Sequence, residues 1–259
     1  MGKSLKKFIP RIFLWTTFSF LYLPLFVLIA FSFNAKSFPA PWGHFTIHWY
    51  KELFEAQQLW DSFLNSFIVA SFSTLLSLLL TTALLYLLSR FRTLGNWSTI
   101  FYGNLIIPET VLGAGLLSYF TLAHVPLGLP TIVVAHTVLG IGFSIPILFT
   151  RFAEIDIRIF EASRVLGASS AQTFFKVSLP LMRPTLLAVS LMIFIISFDD
   201  FVLSYFCSGT SVQTLSLFLV NSIRYGISPV INAFASILLI LIALLASLFF
   251  TFKKEARLF

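Results

Sequence analysis

RFAEIDIRIFEASRVLGASSAQTFFKVSLPLMRP, residues 151–184, is the one long polar interval in a chain that otherwise seeks hydrocarbon. Strongly apolar sequence flanks it on both sides. Within it Ile155, Ile159, Ala162 and Leu166 recur at the spacing that sets side chains on one face of a helix. Ala171, Phe174 and Phe175 give a second, shorter apolar face. Gly167 stands between the two pieces, where a turning chain gains from a residue without Cβ. Pro180 is expected to end the second piece. The stretch reads as helix, glycine turn, helix at a membrane surface. A chain that commits so many residues to one loop uses it to contact something in water.

Composition makes the membrane the only comfortable setting. Of 259 residues, 58% are hydrophobic and 10% charged, with a mean hydropathy of +0.95. Soluble domains carry roughly 25% charged residues, so this chain has too few to cover a water-facing surface. A single cysteine, Cys207, excludes an internal disulfide and a Cys-rich metal site. His44, His48, His124 and His136 are scattered without metal-ligand spacing and read as structural.

A spanning helix needs about 20 mostly apolar residues. Six stretches qualify: 12–33, 63–88, 98–120, 131–149, 184–206 and 230–252. The first begins like a signal peptide, but its apolar run exceeds the roughly 7–15 residues of such a segment and no small-residue cleavage site follows, so it reads as a retained span. Pro108 interrupts the third, and Pro184 suits the first turn of the fifth. Between the first two, Trp42, Trp49 and Trp60 suit a membrane–water interface, and 47–59 can form a short helix along it. A second short helix is expected over 212–224.

Cytoplasmic connections concentrate Lys and Arg. With six spans, every lysine and arginine except Lys36, Lys51 and Arg224 falls on one side, together with both termini and the long loop. The expected fold is therefore an all-α polytopic membrane protein of six transmembrane helices with both termini cytoplasmic. Residues 1–62 hold the first transmembrane helix and an extracytoplasmic segment. Residues 63–252 form the core, with the cytoplasmic loop 151–183 inside it, and 253–259 a cytoplasmic tail. The net charge of +7 follows from topology and calls for no nucleic acid.

Glu161-Ala162-Ser163, then Gly167 after three residues, then nine residues to Val177-Ser178-Leu179-Pro180, resemble the EAA motif of permease subunits in type I ABC importers. Ser163 for the second alanine and Val177 for isoleucine are the departures, and both preserve size. The alternative is an ordinary amphipathic surface helix, but motif, position and topology agree on the family. The resemblance implies the ABC transporter type-1 transmembrane fold in the inner membrane. It implies a coupling helix that docks on a separate ATPase dimer, a second permease subunit and an extracytoplasmic solute-binding protein. Glu161, Ala162, Ser163, Gly167, Leu179 and Pro180 become the ATPase-coupling residues. Ala162 and Ser163 would allow close approach, Glu161 and Arg164 would supply charged edges, and Gly167 would set the angle of the next helix. The chain carries no GxxxxGK[ST] phosphate loop; no enzyme activity, cofactor or metal of its own is expected, and ATP with Mg belongs to the partner.

FDDFVLSYF (198–206), SGTSVQTLSLFL (208–219), RYGISPVINA (224–233) and the pair Pro108-Glu109 look like the second permease subunit of spermidine/putrescine importers. A carboxylate at the bilayer centre costs about 2.5–3.5 kcal/mol, so Glu109, Asp199 and Asp200 are candidates for the solute path, with Phe198 and Tyr205 offering ring faces to a cation. Neighbours on a regular helix point about 100° apart. Asp199 and Asp200 therefore divide: one lines the path while the other meets a partner helix or caps a break. The acids are alternatively structural, paired with Arg or backbone. Ferric iron or an anion remains an alternative solute. A secondary transporter needs no coupling loop, and an intramembrane hydrolase needs a GxSG or an Asp pair on two helices, which the sequence lacks.

Overall fold

The computed structural model describes residues 2–36, 41–91, 107–225 and 228–255. Among them regular structure is helical, apart from one antiparallel bridge between Asn34 and Phe45. In order come α1 (Gly2–Phe31), α2 (His48–Glu55), α3 (Gln57–Phe91), α4 (Glu109–Leu122), α5 (Leu129–Ala153), α6 (Ile157–Val165) and α7 (Ser170–Thr173). A π-helical turn, Phe174–Ser178, leads into α8 (Leu179–Leu181), followed by α9 (Arg183–Asp199), α10 (Val202–Cys207), α11 (Leu215–Tyr225) and α12 (Pro229–Glu255). Three described helices have stretches long and apolar enough to cross a membrane: Phe13–Phe31, Gln57–Ser89 and Leu129–Ala153. Ser170–Leu181 with Arg183–Asp199, bent by 69°, makes a fourth if it is one span. Leu215–Arg224 and Pro229–Leu244 are shorter apolar helices.

Two sequence expectations change. The stretch 184–206 is not one helix but two, parted at Asp200, whose backbone is extended (ψ 123°). Pro180 does not end the second piece of the loop; it lies inside α8, and the bend falls at Met182. A proline removes one helical N–H and crowds the carbonyl four residues back, and the widened π turn directly before it takes up that mismatch. Of the expected third span, 98–106 lies outside the described residues. Its remainder starts as α4 immediately after Pro108.

The chain divides into two compact units: Met1–Gln57 with Leu219–Phe259, and Gln58–Phe218. In the first, α12 packs on α1 and α2. The connection after α1 is held by Asn34, which is fully buried. Its Oδ1 accepts from the Gly43 amide at 2.8 Å, its Nδ2 donates to the Lys36 carbonyl at 3.0 Å, and its own carbonyl accepts from Trp49 Nε1 at 2.8 Å. Phe33 stacks on Phe45 with ring centres 5.2 Å apart. These bonds satisfy backbone groups that no helix serves.

In the second unit α5 is central, with 67% of its apolar window buried against 39% for α3. One apolar cluster gathers Leu85, Leu148, Phe152, Phe174, Met182 and Ile193. Another gathers Val69, Phe120, Ile132, Leu139, Leu203 and Cys207. Between apolar helices in lipid, close approach through small residues and interhelical hydrogen bonds replaces the hydrophobic drive. Both occur on α5. Ser77 Oγ donates to the Thr137 carbonyl at 3.1 Å, and the hydroxyls of Thr81 and Ser144 pair at 2.6 Å. A Cβ on Gly140 would strike Ser77 Oγ and lie 2.9 Å from Ile193 Cγ2.

Gly140→Leu should therefore push α5 off α3 and α9, at about 1–3 kcal/mol or more for an overpacked site. A lowered melting temperature of the detergent-solubilised protein checks it. Gly115→Ala, where an added Cβ meets nothing within 4 Å, should leave that temperature unchanged or higher.

Candidate functional site

The polar loop is built from its caps. Asp156 Oδ1 accepts from the Arg158 amide at 2.9 Å and starts α6. At the other end the Gly167 amide donates to the Arg164 carbonyl at 2.9 Å and the Ala168 amide to the Ser163 carbonyl at 3.0 Å. This pair of bonds is a Schellman cap, which needs a left-handed residue between them. Gly167 supplies it with φ +81°, and a Cβ there would meet nothing within 4 Å. Glycine is kept by backbone conformation, not by lack of room. Ser169 then starts α7 with a capping box: its hydroxyl accepts from the Gln172 amide at 3.3 Å while Gln172 Oε1 accepts from the Ser169 amide at 2.8 Å.

The two faces of α6 differ. Phe160 sets its ring against Phe152 at 5.7 Å, and Ser163, buried, pairs its hydroxyl with Thr173 Oγ1 at 2.8 Å. Ser163 therefore does not stand with Ala162 at a docking surface; it ties α6 to α7. Glu161 and Ala162 are exposed. Val165 and Leu166 are each 87% exposed and Ile157 67%. Of the stripe read from periodicity, Ile155 turns to the core cluster while Ile159 and Leu166 face outward. Leu179 and Pro180 are half-buried on the path from the loop to α9. Beneath α6 lies a cavity of about 260 Å³, lined among others by Ser89, Phe152, Ile157, Phe160 and Thr173.

The second part of the site is the break between α9 and α10. Asp200 Oδ1 accepts from the Leu203 amide at 2.8 Å and the Ser204 amide at 3.4 Å, so its carboxylate serves the free N–H groups that open α10. Its carbonyl accepts from Ser216 Oγ at 2.6 Å. His136 of α5 comes up from beneath. Its Nε2 lies 3.5 Å from Asp200 Oδ1, and the side chains of His136 and Asp200 are 1% and 4% exposed. Asp199, the last residue of α9, is exposed. The two adjacent acids thus part at the break, one inward and one outward.

The ring candidates part as well. Phe198 is half-buried and packs edge-on against Phe63 of α3 at 5.8 Å. Tyr205 is 60% exposed and stacks on Phe201 at 5.6 Å. Glu109 is exposed in the first turn of α4, where a negative charge suits the helix dipole. α4 lies tight on α10: a Cβ on Gly113 would sit 2.6 Å from Phe206 Cδ2. The helix of Glu109 and the helix of Tyr205 are thereby neighbours. His136, read from the sequence as structural, is buried and bonded as that reading expects, with partners on two other helices.

Asp200→Ala should lower stability by about 0.5–2 kcal/mol, the usual worth of a helix cap. Asp200→Asn, which keeps an acceptor oxygen, should lose less. Thermal unfolding of the two purified variants checks the order.

No family model matches the chain. Individual proteins do. It is 30% identical over 236 residues to the spermidine/putrescine transport system permease protein PotC of Haemophilus influenzae, covering 90% of this chain and 92% of that one. It is 32% identical over 231 residues to PotC of Escherichia coli, covering 88% of each. To the putrescine transport system permease protein PotI of E. coli it is also 32% identical, covering 86% of this chain and 82% of that one. Its fold matches a bacterial ABC transporter involved in import of the acidic polysaccharide alginate, at a TM-score of 0.70, 15% identity and coverage of 98% and 97%. It also matches the MetNI methionine ABC transporter in an inward-facing conformation, at 0.51, 21% identity and coverage of 77% and 93%. These relatives, with the matching fold, make the chain a membrane permease subunit of the ABC-importer class. Within that class, the chain belongs to the family of spermidine/putrescine transport permease proteins.

Proposed function

We propose that the chain forms one half of an ATP-driven import path for polyamines, as six spans with both termini in the cytoplasm of a bacterial inner membrane. Residues 63–252 constitute the transport core. A second permease subunit supplies the other half of the path, a solute-binding protein delivers the cation from outside, and an ATPase dimer using ATP and Mg supplies the energy. The observation that carries this reading is α6. A short capped helix, tied inward by Phe160 and Ser163, presents Glu161, Ala162, Val165 and Leu166 outward. Exposed apolar side chains rimmed by charge suit a protein partner. Movement received there passes through the π turn and the 69° bend into α9, which ends at Asp199.

The exposed carboxylates Glu109 and Asp199 and the ring of Tyr205 suit a solute with several ammonium groups on an apolar spacer, through ion pairing and cation–π attraction. Asp200 and Phe198 support that surface from behind. The polyamine assignment rests on the relatives and on this charge; an anionic solute would be repelled by the exposed carboxylates of Glu109 and Asp199.

One experiment separates command from path. In cells carrying the complete transporter, Glu161→Lys and Gly167→Val should insert normally yet reduce uptake of radiolabelled spermidine to background. Asp199→Asn should assemble and stay coupled while losing about 1.5–3 kcal/mol of charge-assisted binding, roughly a 10- to 100-fold rise in apparent KM. Normal uptake by both loop variants would sink the coupling assignment. An unchanged KM in Asp199→Asn would remove that acid from the path.

A further inference from the structure

His136 plays no part in the reading above, yet it sits where α5 meets both sides of the helix break. Its neighbours Ile132, Ala135 and Leu139 are buried and apolar, and an imidazole placed there is costly unless both nitrogens find partners. It finds them on two different helices. Nδ1 pairs at 2.7 Å with the hydroxyl of Ser197, two residues before the end of α9. Nε2 lies 3.3 Å from the hydroxyl of Ser204 in α10 and 3.5 Å from Asp200 Oδ1 at the break itself. Ser197 is backed in turn by Ser73 Oγ of α3 at 3.0 Å. One ring therefore fixes how α9 and α10 are set against each other. Asp199 closes the first of these helices and Tyr205 rides on the second.

We propose that His136 is a positioning residue for the solute path: from α5 it ties Ser197 of α9 to Ser204 of α10, so that the Asp199 carboxylate and the Tyr205 ring meet a passing cation in one fixed arrangement. This rests on the reading of Asp199 as a path residue. A solute whose charges are separated by a spacer is recognised by the spacing of the groups that meet it. Loosening the tie displaces those groups without removing any of them. The loss then falls on apparent affinity and leaves subunit assembly in place.

The test uses the whole transporter in proteoliposomes, with its ATPase, second permease and binding protein, and radiolabelled spermidine as probe. His136→Ala should raise KM about 10-fold, equivalent to about 1.4 kcal/mol of lost affinity, with unchanged retention of the ATPase subunit. His136→Gln, which keeps one donor and one acceptor at the end of its side chain, should recover part of the loss. In an Asp199→Asn background, His136→Ala should change KM by less than about 2-fold, because residues acting through one another are not additive. If His136→Ala fails to assemble, Ser204→Ala cuts the same tie and should show the same dependence on Asp199. Independent effects of the two substitutions, or a loss confined to Vmax, would overturn the positioning role alone. An unchanged KM for Asp199→Asn would overturn the path assignment and this role with it.

Discussion

Hydrocarbon offers no hydrogen bonds, so any backbone group freed inside an apolar bundle must be satisfied by the chain itself. The break at Asp200 is where that constraint bears hardest. Ending α9 and restarting α10 frees carbonyls and amides, and the Asp200 carboxylate takes the amides of Leu203 and Ser204. Ser216 satisfies the Asp200 carbonyl, and His136 stands against the carboxylate from below. With the inward acid so occupied, the outward acid, Asp199, is left available to something other than the fold. A regular helix through 198–206 would have left the Asp200 carboxylate no free amides to cap.

The loop solves a different problem with similar means. α6 is too short to be stable by propensity alone. It is held by Asp156 at one end, by the Schellman cap at Gly167 at the other, and by Phe160 and Ser163 underneath. What it shows outward is consequently free of duties within the chain. Phe174, packed near Tyr86 at 5.3 Å and Phe152 at 6.1 Å, anchors the π turn in the core of the same unit. Loop and break are joined by one nearly continuous helical path.

Much of this was legible in the sequence. Long apolar runs placed helices over 12–33, 63–88, 131–149 and 230–252, and the structure has α1, α3, α5 and α12 there. The apolar recurrence from Ile155 to Leu166, with Gly167 after it, foretold a helix and a glycine turn, because a left-handed cap is a local requirement. The remainder depended on contacts distant in sequence. FDDFVLSYF holds neither proline nor glycine, and its one hint of a break is an acid able to cap it; the capping carboxylate and Ser216 make the break possible. Ser163 looks like a surface residue until Thr173, ten residues on, is brought across the turn. His136 is the buried structural histidine that the sequence suggested, but which helices it joins could not be read there, since Ser197 and Ser204 are 61 and 68 residues away.

Every role proposed for this chain depends on its transport being driven through the loop by a separate ATPase. The most direct measurement is spermidine accumulation and ATP hydrolysis followed together in proteoliposomes holding this chain, its second permease and the binding protein, with and without the ATPase dimer. Accumulation should require both the ATPase and ATP and stop when either is withheld. Accumulation that persists without them, driven by a proton or sodium gradient, would contradict the account.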